Sequence, residues 1–247
     1  MNNIIPRSVL YNLEPIGIGS PECECLLSYW TRLAIEYCTS IQKLTEMMVD
    51  LLHPNPSNWQ VSIINWGVSR RCNTYSSQSR QAEWIANLLN QATGRSDLLS
   101  LTLIPWRPVF KFSFVRRELF YCPLCFSHQQ SSKTGLYIPL LWCIFSVRSC
   151  HKHKCILRNY CPICRYTSIV KWSNLTPGYC SNCGAFLGSD TDQLRYVAQS
   201  SIWDADSCRF AKMIEQNSDP VEDKKDWMRL LDLISPYLVS LCKHYAE

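Results

Sequence analysis

Apolar residues recur every three to four positions along the N-terminal part of the chain, a spacing that indicates helices with one buried face. The first predicted helix begins at Ser20–Glu22, which offers an N-cap, a proline at the first helical position and an acid facing the positive end of the helix dipole. Its buried face carries Leu26, Trp30 and Leu33. A second helix is predicted after a cap at Thr39 and ends at the prolines that follow.

A third periodic stretch includes Trp84 and Leu88 and stops at Gly94, a residue that suits a helix C-cap. Ser96–Asp97 is a suitable cap for a short successor. Two helices joined by a glycine-containing turn across 81–101 have the outline of a helix-turn-helix. Any pair of antiparallel helices in a small bundle has the same outline, so both interpretations remain open here.

The rest of the chain predicts a connector and a helical end. Residues 103–120 are rich in aromatic side chains and interrupted by prolines, which favours an extended connector that packs two modules together. Two further helices are predicted over 202–216 and 223–245, the second kinked or ended by Pro236. The expected fold is mostly α. Its parts are an N-terminal helical and helix-turn-helix module (1–118), a cysteine-rich middle region (119–189) and a short C-terminal helical bundle (190–247).

Fifteen of the 247 residues are cysteines, and the spacing of eight ligand-type residues favours metal over disulfides. A structural zinc site needs four ligands, and a pair separated by two residues supplies two of them from one tight turn. If neighbouring pairs combine in order, two Zn²⁺ sites result, one with three cysteines and a histidine and one with four cysteines. The predicted ligands are Cys122, Cys125, Cys150 and His153 for the first site, and Cys161, Cys164, Cys180 and Cys183 for the second. The middle region (119–189) is therefore expected to be a tandem zinc-finger region with small zinc-ribbon β-hairpins.

Four other residues compete as ligands: His128, Cys143, His151 and Cys155. None forms a pair with a two-residue gap unless it displaces a ligand already assigned. We therefore expect them to lie beside the metal sites or at the surface.

Catalysis by these metals is not expected. A catalytic zinc keeps one position open for water and normally has an acidic base close by. Both predicted sites are filled by protein ligands, and Glu118 is the single acid between residues 107 and 171. No phosphate-binding glycine loop or nucleophile motif appears elsewhere, so we do not expect an enzyme.

The middle of the chain is strongly basic, with 11 Lys and Arg against one acid over residues 107–171. Residues 190–247 contain 11 acids against seven Lys and Arg, so the two regions are expected to face different partners. Aromatic residues lie between the basic ones, which favours contact with RNA or DNA. The predicted contact residues are Arg116, Arg117, Arg148, Lys152, Lys154, Arg158, Arg165 and Lys171.

The sequence has no basic leader followed by an apolar stretch, and no segment with the length of uncharged apolar residues that a membrane span needs. We therefore expect a soluble intracellular protein that makes no membrane contact.

The order of these residues resembles the TniQ family of transposon target-selection adaptors. The metal motif is similar at Tyr121–Cys125, at Trp142 eight residues before Cys150, and over 150–164. The likeness also includes Cys180–Gly184, the opening helix over 22–34 and the helix-turn-helix entry over 92–103, so that it spans 15–188 in all.

Some positions depart from the family pattern. Ser127 and His128 stand where the family often has an acidic pair, and Cys23 and Cys25 are unusual in the opening helix. The tail over 190–247 is also too short for the second DNA-reading half of longer members, except in reduced form.

The resemblance implies an adaptor without chemistry of its own. It would link a target-site complex, either a CRISPR effector with its guide RNA or an attachment site on target DNA, to an AAA+ ATPase regulator that recruits the transposase. A homodimer remains open. The alternatives are a stand-alone sequence-specific DNA-binding protein that reads DNA through residues 96–101, and a zinc-stabilised interaction module with no nucleic-acid role.

Overall fold

The computed structural model describes residues 8–65, 75–107, 115–116, 118–132, 134–167, 175–189, 194–196 and 202–216. Short 3₁₀ helices over Leu98–Leu101, Ile104–Trp106 and Leu140–Cys143 accompany the α-helices. The α-helices of this part of the chain are α1 (Leu26–Glu36), α2 (Ile41–Leu52), α3 (Asn58–Asn65), α4 (Arg80–Thr93), α5 (Pro123–Ser131) and α6 (Ile202–Gln216).

Helix α1 begins later than the sequence predicted, so the predicted cap at Ser20 is wrong. The Ser20 hydroxyl donates to the Gly17 carbonyl at 2.8 Å and accepts from the Glu22 amide at 3.2 Å, which closes a turn before the helix. Cys25 is the N-cap, in extended conformation and without a side-chain capping bond. The intervening segment is extended because its backbone groups bond to another part of the chain.

That other part is the segment just after α5. The Cys25 amide donates to the Ile138 carbonyl at 2.8 Å, and the Leu140 amide donates to the Cys23 carbonyl at 2.7 Å. Glu24 and Pro139 form an antiparallel bridge between these bonds. The predicted N-terminal module and zinc-finger region are therefore joined by backbone pairing, whereas the boundary at 118 stays a prediction about sequence modules.

The remaining N-terminal helices follow the predicted periodicity. Ser40, and not Thr39, caps α2, since its side chain accepts from the Lys43 amide. In α4 the Ser79 side chain accepts from the Ala82 amide, and Gly94 ends the helix in the left-handed region at φ 72°. Glycine adopts this conformation without the steric penalty of other residues, so the predicted C-cap is confirmed. Helix α3 had no counterpart in the sequence prediction.

The predicted helix-turn-helix is not confirmed. The element after Gly94 is a single 3₁₀ turn over Leu98–Leu101, and its Leu98 and Leu101 are fully buried. Asp97 does not cap this turn through its side chain, but binds the Arg95 guanidinium through both carboxylate oxygens at 2.8 and 2.6 Å. A four-residue turn anchored by two buried leucines lacks the length of a helix that enters a DNA groove.

A continuous apolar core lies between α1, α2 and α4 and extends to the metal region. Trp30 is fully buried on α1 and meets the Tyr75 ring edge-on at a centroid distance of 5.7 Å. On the other side, Phe126 of α5 stacks on Tyr121 and contacts Trp142. The core thus connects the helices to the candidate metal sites without a break.

The connector differs in part from its predicted extended form. Ile104–Trp106 is a 3₁₀ turn, whereas Val115 is extended and pairs with Ile144 in an antiparallel bridge. Residues 108–114 and the whole of the second predicted C-terminal helix, 223–245, lie outside the described residues. No described helix has the combination of length and apolar character that would let it cross a bilayer.

Helix α6 packs against the first zinc-finger segment. The Lys154 amine lies 2.8 Å from Asp204 Oδ1 and 3.0 Å from Cys208 Sγ, while the hydroxyls of Ser149 and Ser207 are 2.8 Å apart. At this contact an acid of the C-terminal region neutralises a cation of the basic middle region. The basic middle region and the acidic C-terminal region were expected to face different partners, but at this contact they face each other.

Candidate metal centres and the basic surface

The first candidate metal centre is formed by α5 and a tight turn. Cys122 is the N-cap of α5, and Cys125 lies in its first turn. Cys150 and His153 lie in the turn that the antiparallel bridge between Ser149 and Ile156 closes. The ligand atoms of the four predicted residues lie within 4.8 Å of one another.

The second candidate centre is formed by two turns of the same design. Cys161, Cys164, Cys180 and Cys183 also bring their sulfurs within 4.8 Å of one another. An antiparallel bridge between Tyr179 and Phe186 closes the later turn. In the described residues the predicted zinc-ribbon hairpins are thus isolated bridges around tight turns.

Three of the four turns share one backbone pattern. The amide of the fourth residue after the first ligand donates to that ligand's carbonyl, at 2.8 to 2.9 Å. That fourth residue has a positive φ in each turn: 52° at Lys154, 60° at Arg165 and 73° at Gly184. Residues other than glycine rarely adopt this conformation, so Lys154 and Arg165 are held there by their turns.

The distances between ligand atoms fit tetrahedral zinc. Zn–S bonds of about 2.3 Å and Zn–N bonds of about 2.05 Å place neighbouring sulfurs about 3.8 Å apart, and sulfur and nitrogen about 3.6 Å apart. The observed Sγ–Sγ separations are 3.6, 3.7 and 3.8 Å. His153 Nδ1 lies 3.3 to 3.5 Å from the three sulfurs of its cluster.

The thiolate is the form of cysteine that binds a metal, and the pKa shifts differ between the ligands: hydrogen bonds with Cys125 and Cys150 raise the pKa of Cys122, and burial raises that of Cys161 to about 12. The Tyr166 backbone amide, followed by the Asn182 side chain, lowers the pKa of Cys164 to about 6. Hydrogen bonds from Cys122 and Cys125 lower the pKa of Cys150. The donor set and its spacing therefore fit one zinc ion in each cluster, held by protein ligands alone.

The four competing residues lie beside the clusters or away from them. Cys155 Sγ is 3.4 Å from Cys122 Sγ, and His128 Nδ1 is 3.1 Å from His153 Nε2. The His128 ring is thus placed to bind the nitrogen of His153 that faces away from the metal, as partners of metal-bound histidines commonly do. Cys143 is buried outside both clusters.

His151 belongs to a contact that sequence reasoning missed. Its Nε2 lies 3.0 Å from Glu22 Oε1, and the Lys152 amine lies 2.7 Å from the same oxygen. The hydrogen bond with His151, together with Lys152, lowers the pKa of Glu22 to about 2. Glu22 thus joins the N-terminal segment to the turn that carries two metal ligands, a contact between residues 129 positions apart.

The eight predicted nucleic-acid residues have different surroundings. Arg116 and Arg158 are buried at 5 and 6% exposure, and Arg117 and Lys171 lie outside the described residues. Lys152 and Lys154 form ion pairs with Glu22 and Asp204. Arg148 and Arg165 are exposed. Of the six described residues of this set, two are therefore buried, two are ion-paired and two are exposed, and their contact with a nucleic acid stays a prediction.

Arg116 stabilises the fold from within. Its guanidinium donates to the backbone carbonyls of Ile144, at 2.9 Å, and Val147, and it lies over the Phe120 ring at 3.8 Å. Burial lowers its pKa to about 10. A side chain in this position has few atoms left for a phosphate.

We expect Arg116→Met to destabilise the protein without a direct effect on nucleic-acid binding. Loss of the guanidinium leaves two buried carbonyls without these donors, at about 1–3 kcal/mol for each. Urea denaturation measures the loss. Arg148→Met is the control, because Arg148 is exposed and surface substitutions usually change stability by less than about 0.5 kcal/mol. Equal stability of the two variants would contradict the structural role of Arg116.

Comparison with known proteins places the chain among related sequences. The TniQ family model matches residues 15–157, which is more than half of the chain. The match includes α1 to α5 and the whole first metal cluster, and it ends before Cys161. No curated protein matches the chain.

Proposed function

Since the chain belongs to the TniQ family of transposition-associated target-selection adaptors, we propose that it links a target-site complex to an AAA+ ATPase regulator and so recruits the transposase. The target-site complex proposed is a CRISPR effector with its guide RNA, bound to target DNA. The chain would act in the bacterial cytoplasm, on the nucleoid when assembled on DNA, and would catalyse no reaction itself. The family match carries this proposal.

The metal clusters support a holding role. A zinc ion with four protein ligands has no open position for water or substrate, whereas a catalytic zinc keeps one. Each cluster offers four donors at tetrahedral spacing, and the first lies where α5, the N-terminal segment and α6 converge. Zinc there would fix the relative positions of surfaces on three parts of the chain, as an adaptor requires.

Exposed apolar side chains of the N-terminal module are the proposed contact with the ATPase. Tyr11, Ile35 and Tyr37 are 62, 45 and 39% exposed. The Tyr11 amide donates to the Tyr37 hydroxyl at 2.7 Å, which holds the two aromatic residues together. Exposed aromatic and aliphatic side chains that are fixed in place are typical anchors of protein interfaces.

We expect Ile35→Asp to weaken binding of the AAA+ regulator by about tenfold or more, because a charge buried in an apolar contact loses its hydration. Binding of the purified proteins is measured by calorimetry. Leu51→Asp is the matched control, because Leu51 is 59% exposed and lies in the last turn of α2. This substitution therefore also introduces an acid into the last turn of a helix. If both variants lose binding equally, or if neither loses it, Ile35 is not part of the contact with the regulator.

Reconstitution tests the adaptor role as a whole. Targeted insertion is measured with the transposase, the AAA+ regulator and the RNA-guided effector of the same element, with and without this chain. The proposal predicts that insertion at the guided site is lost without it, together with loading of the ATPase there. Unchanged loading and unchanged insertion would refute the adaptor role.

The alternative of a stand-alone DNA reader has a different signature. It would bind one duplex sequence with nanomolar-scale affinity in the absence of an effector, about 10³-fold or more tighter than other sequences. Mobility shifts at several salt concentrations test this. The short 3₁₀ turn over Leu98–Leu101 favours the adaptor, for which we expect weak and sequence-indifferent duplex binding.

A further inference from the structure

A groove of about 510 Å³ is lined by the chain segment that connects the two candidate metal centres and by Arg195. Its floor is the segment that leaves the first zinc-finger turn, and one wall is the short segment before α6. The two are joined by an antiparallel bridge between Cys155 and Tyr196 and by the Ile156 amide, which donates to the Arg195 carbonyl at 2.8 Å. The lining residues are Ile156, Leu157, Arg158, Asn159, Tyr160 and Arg195.

The backbone of this groove is held firmly. Tyr121 and Arg158 exchange two amide–carbonyl hydrogen bonds at 2.8 and 2.9 Å. The Tyr121 hydroxyl also donates to the Tyr160 carbonyl at 2.9 Å. Because Tyr121 is fully buried and lies next to the ligand Cys122, the floor of the groove is tied directly to the first metal centre. A ligand would meet a preformed surface.

The cations around the groove differ from those of the first zinc turn. Lys152 and Lys154 are neutralised by Glu22 and Asp204. Arg195, on the wall, is exposed and makes no ion pair within the described part of the chain. The same holds for exposed Arg165, whose guanidinium lies 6.0 Å from the ring of the lining residue Tyr160. The acid Glu118 is close to the lining residue Asn159, whose side-chain amide donates to the Glu118 carboxylate at 2.9 Å.

An aromatic ring lies among these cations. The Tyr160 ring centroid is 5.9 Å from the guanidinium of Arg158 and 6.0 Å from that of Arg165. Tyr196, on the neighbouring segment, is 64% exposed. The exposed Arg165 guanidinium beside the half-buried Tyr160 ring offers both partners that a nucleotide requires, a cation for the phosphate and a flat surface for the base.

From this arrangement we infer that the groove binds a single-stranded polynucleotide, with phosphates at Arg165 and Arg195 and an unpaired base stacked on Tyr160. A volume of about 510 Å³ lies in the range of small-ligand pockets and suits one nucleotide. The bases of a duplex are already stacked on one another, so a duplex could use the arginines but not the ring. The inference rests on the proposed adaptor function and deepens it, since it names the nucleic acid that the chain holds.

Binding is measured by fluorescence anisotropy on the full chain, loaded with zinc. The probes are labelled oligouridylate and oligothymidylate of about 20 nucleotides, longer than the ~4–16 nucleotides of a typical single-strand site. A duplex of the same length and poly-glutamate are the comparisons. The RNA and DNA strands distinguish the two sources of the same chemistry. We expect either strand to bind at least about tenfold tighter than the duplex, and poly-glutamate not to bind.

The charge variant combines Arg165→Glu with Arg195→Glu. Loss of two phosphate contacts should lower the slope of log affinity against log salt by about 1.4, because each contact to a single strand contributes about 0.7. Lys212→Glu is the matched control, since Lys212 is exposed on α6 and carries the same charge. We expect its slope to stay close to that of the unchanged protein.

The ring variant tests stacking separately from charge. Tyr160→Leu should weaken single-strand binding about tenfold and leave duplex binding unchanged, whereas Tyr160→Phe should bind like the unchanged protein. Zinc content and the circular dichroism spectrum of each variant establish that it is folded.

Three results would overturn the inference: duplex binding as tight as single-strand binding, an unchanged salt slope in the charge variant, or full affinity in Tyr160→Leu. Poly-glutamate binding as tight as the strands would indicate an acidic protein partner instead. These failures differ from failure of the adaptor role. If targeted insertion requires the chain but groove variants bind normally, only the groove falls; if the groove binds RNA or DNA but insertion proceeds without the chain, the adaptor role falls.

Discussion

Cys150→Ser is expected to remove one of two zinc equivalents and to unfold the first zinc-finger segment. Zinc binding contributes roughly 10–16 kcal/mol to the folding of small metal-bound modules, which is comparable to the whole stability of a typical domain, so loss of the metal should destabilise this segment severely. The effect should spread, because the Cys150 turn also binds the N-terminal segment through Glu22 and α6 through Asp204. Elemental analysis and limited proteolysis measure both consequences.

The controls for this experiment follow from the positions of the other thiols. Cys38→Ser should retain two equivalents, because Cys38 is exposed and belongs to neither cluster. Cys155 lies 3.4 Å from Cys122 and is the thiol best placed to replace a lost ligand. Cys150→Ser combined with Cys155→Ser closes that route. Two equivalents of zinc in this double variant would contradict the first metal centre.

The metal ligands were predictable from sequence because their spacing is a local property. A pair separated by two residues forms one tight turn whatever the rest of the chain does, and sequential pairing of the turns gave both clusters as the structure has them. The glycine after Cys183 was predictable for the same reason, since a left-handed position follows each of the last three turns. Local chemistry determined this part of the site.

The contacts that depend on distant residues were not predictable. Glu22 satisfies the rules for an acid in the first turn of a helix, and nothing within its own segment signals a lysine about 130 positions away. Arg116 belongs to a basic region and was therefore predicted to lie at the surface. Its guanidinium is instead buried, where it donates to the carbonyls of Ile144 and Val147. Charge counts therefore identified the basic region but did not indicate which of its cations are buried.

The predicted helix boundaries were wrong where the residues concerned bind another part of the chain. Helix α1 does not begin at Ser20, because the backbone of Cys23 and Cys25 pairs with Ile138 and Leu140 instead of entering the helix. A single 3₁₀ turn lies where the second helix of the helix-turn-helix was predicted, and its Leu98 and Leu101 are buried in the core. By contrast, α4 has a cap at each end and no such competitor, and its predicted C-terminal boundary was confirmed.

Trp142→Ala should lower the free energy of unfolding by about 3–5 kcal/mol, the usual range for removing a large buried aromatic side chain. Trp142 is 1% exposed and meets the Phe126 ring edge-on at 5.4 Å, so its loss leaves a cavity between α5 and the segment that pairs with Cys23 and Cys25. Urea denaturation measures the change. Trp59→Ala removes the same side chain from a half-buried position on α3 and should lose clearly less stability. Equal losses would contradict the proposed role of Trp142 in the core around α5. If only Trp142→Ala lowers the free energy of unfolding and the zinc content stays at two equivalents, then the apolar core and the metal ions stabilise the region around α5 independently.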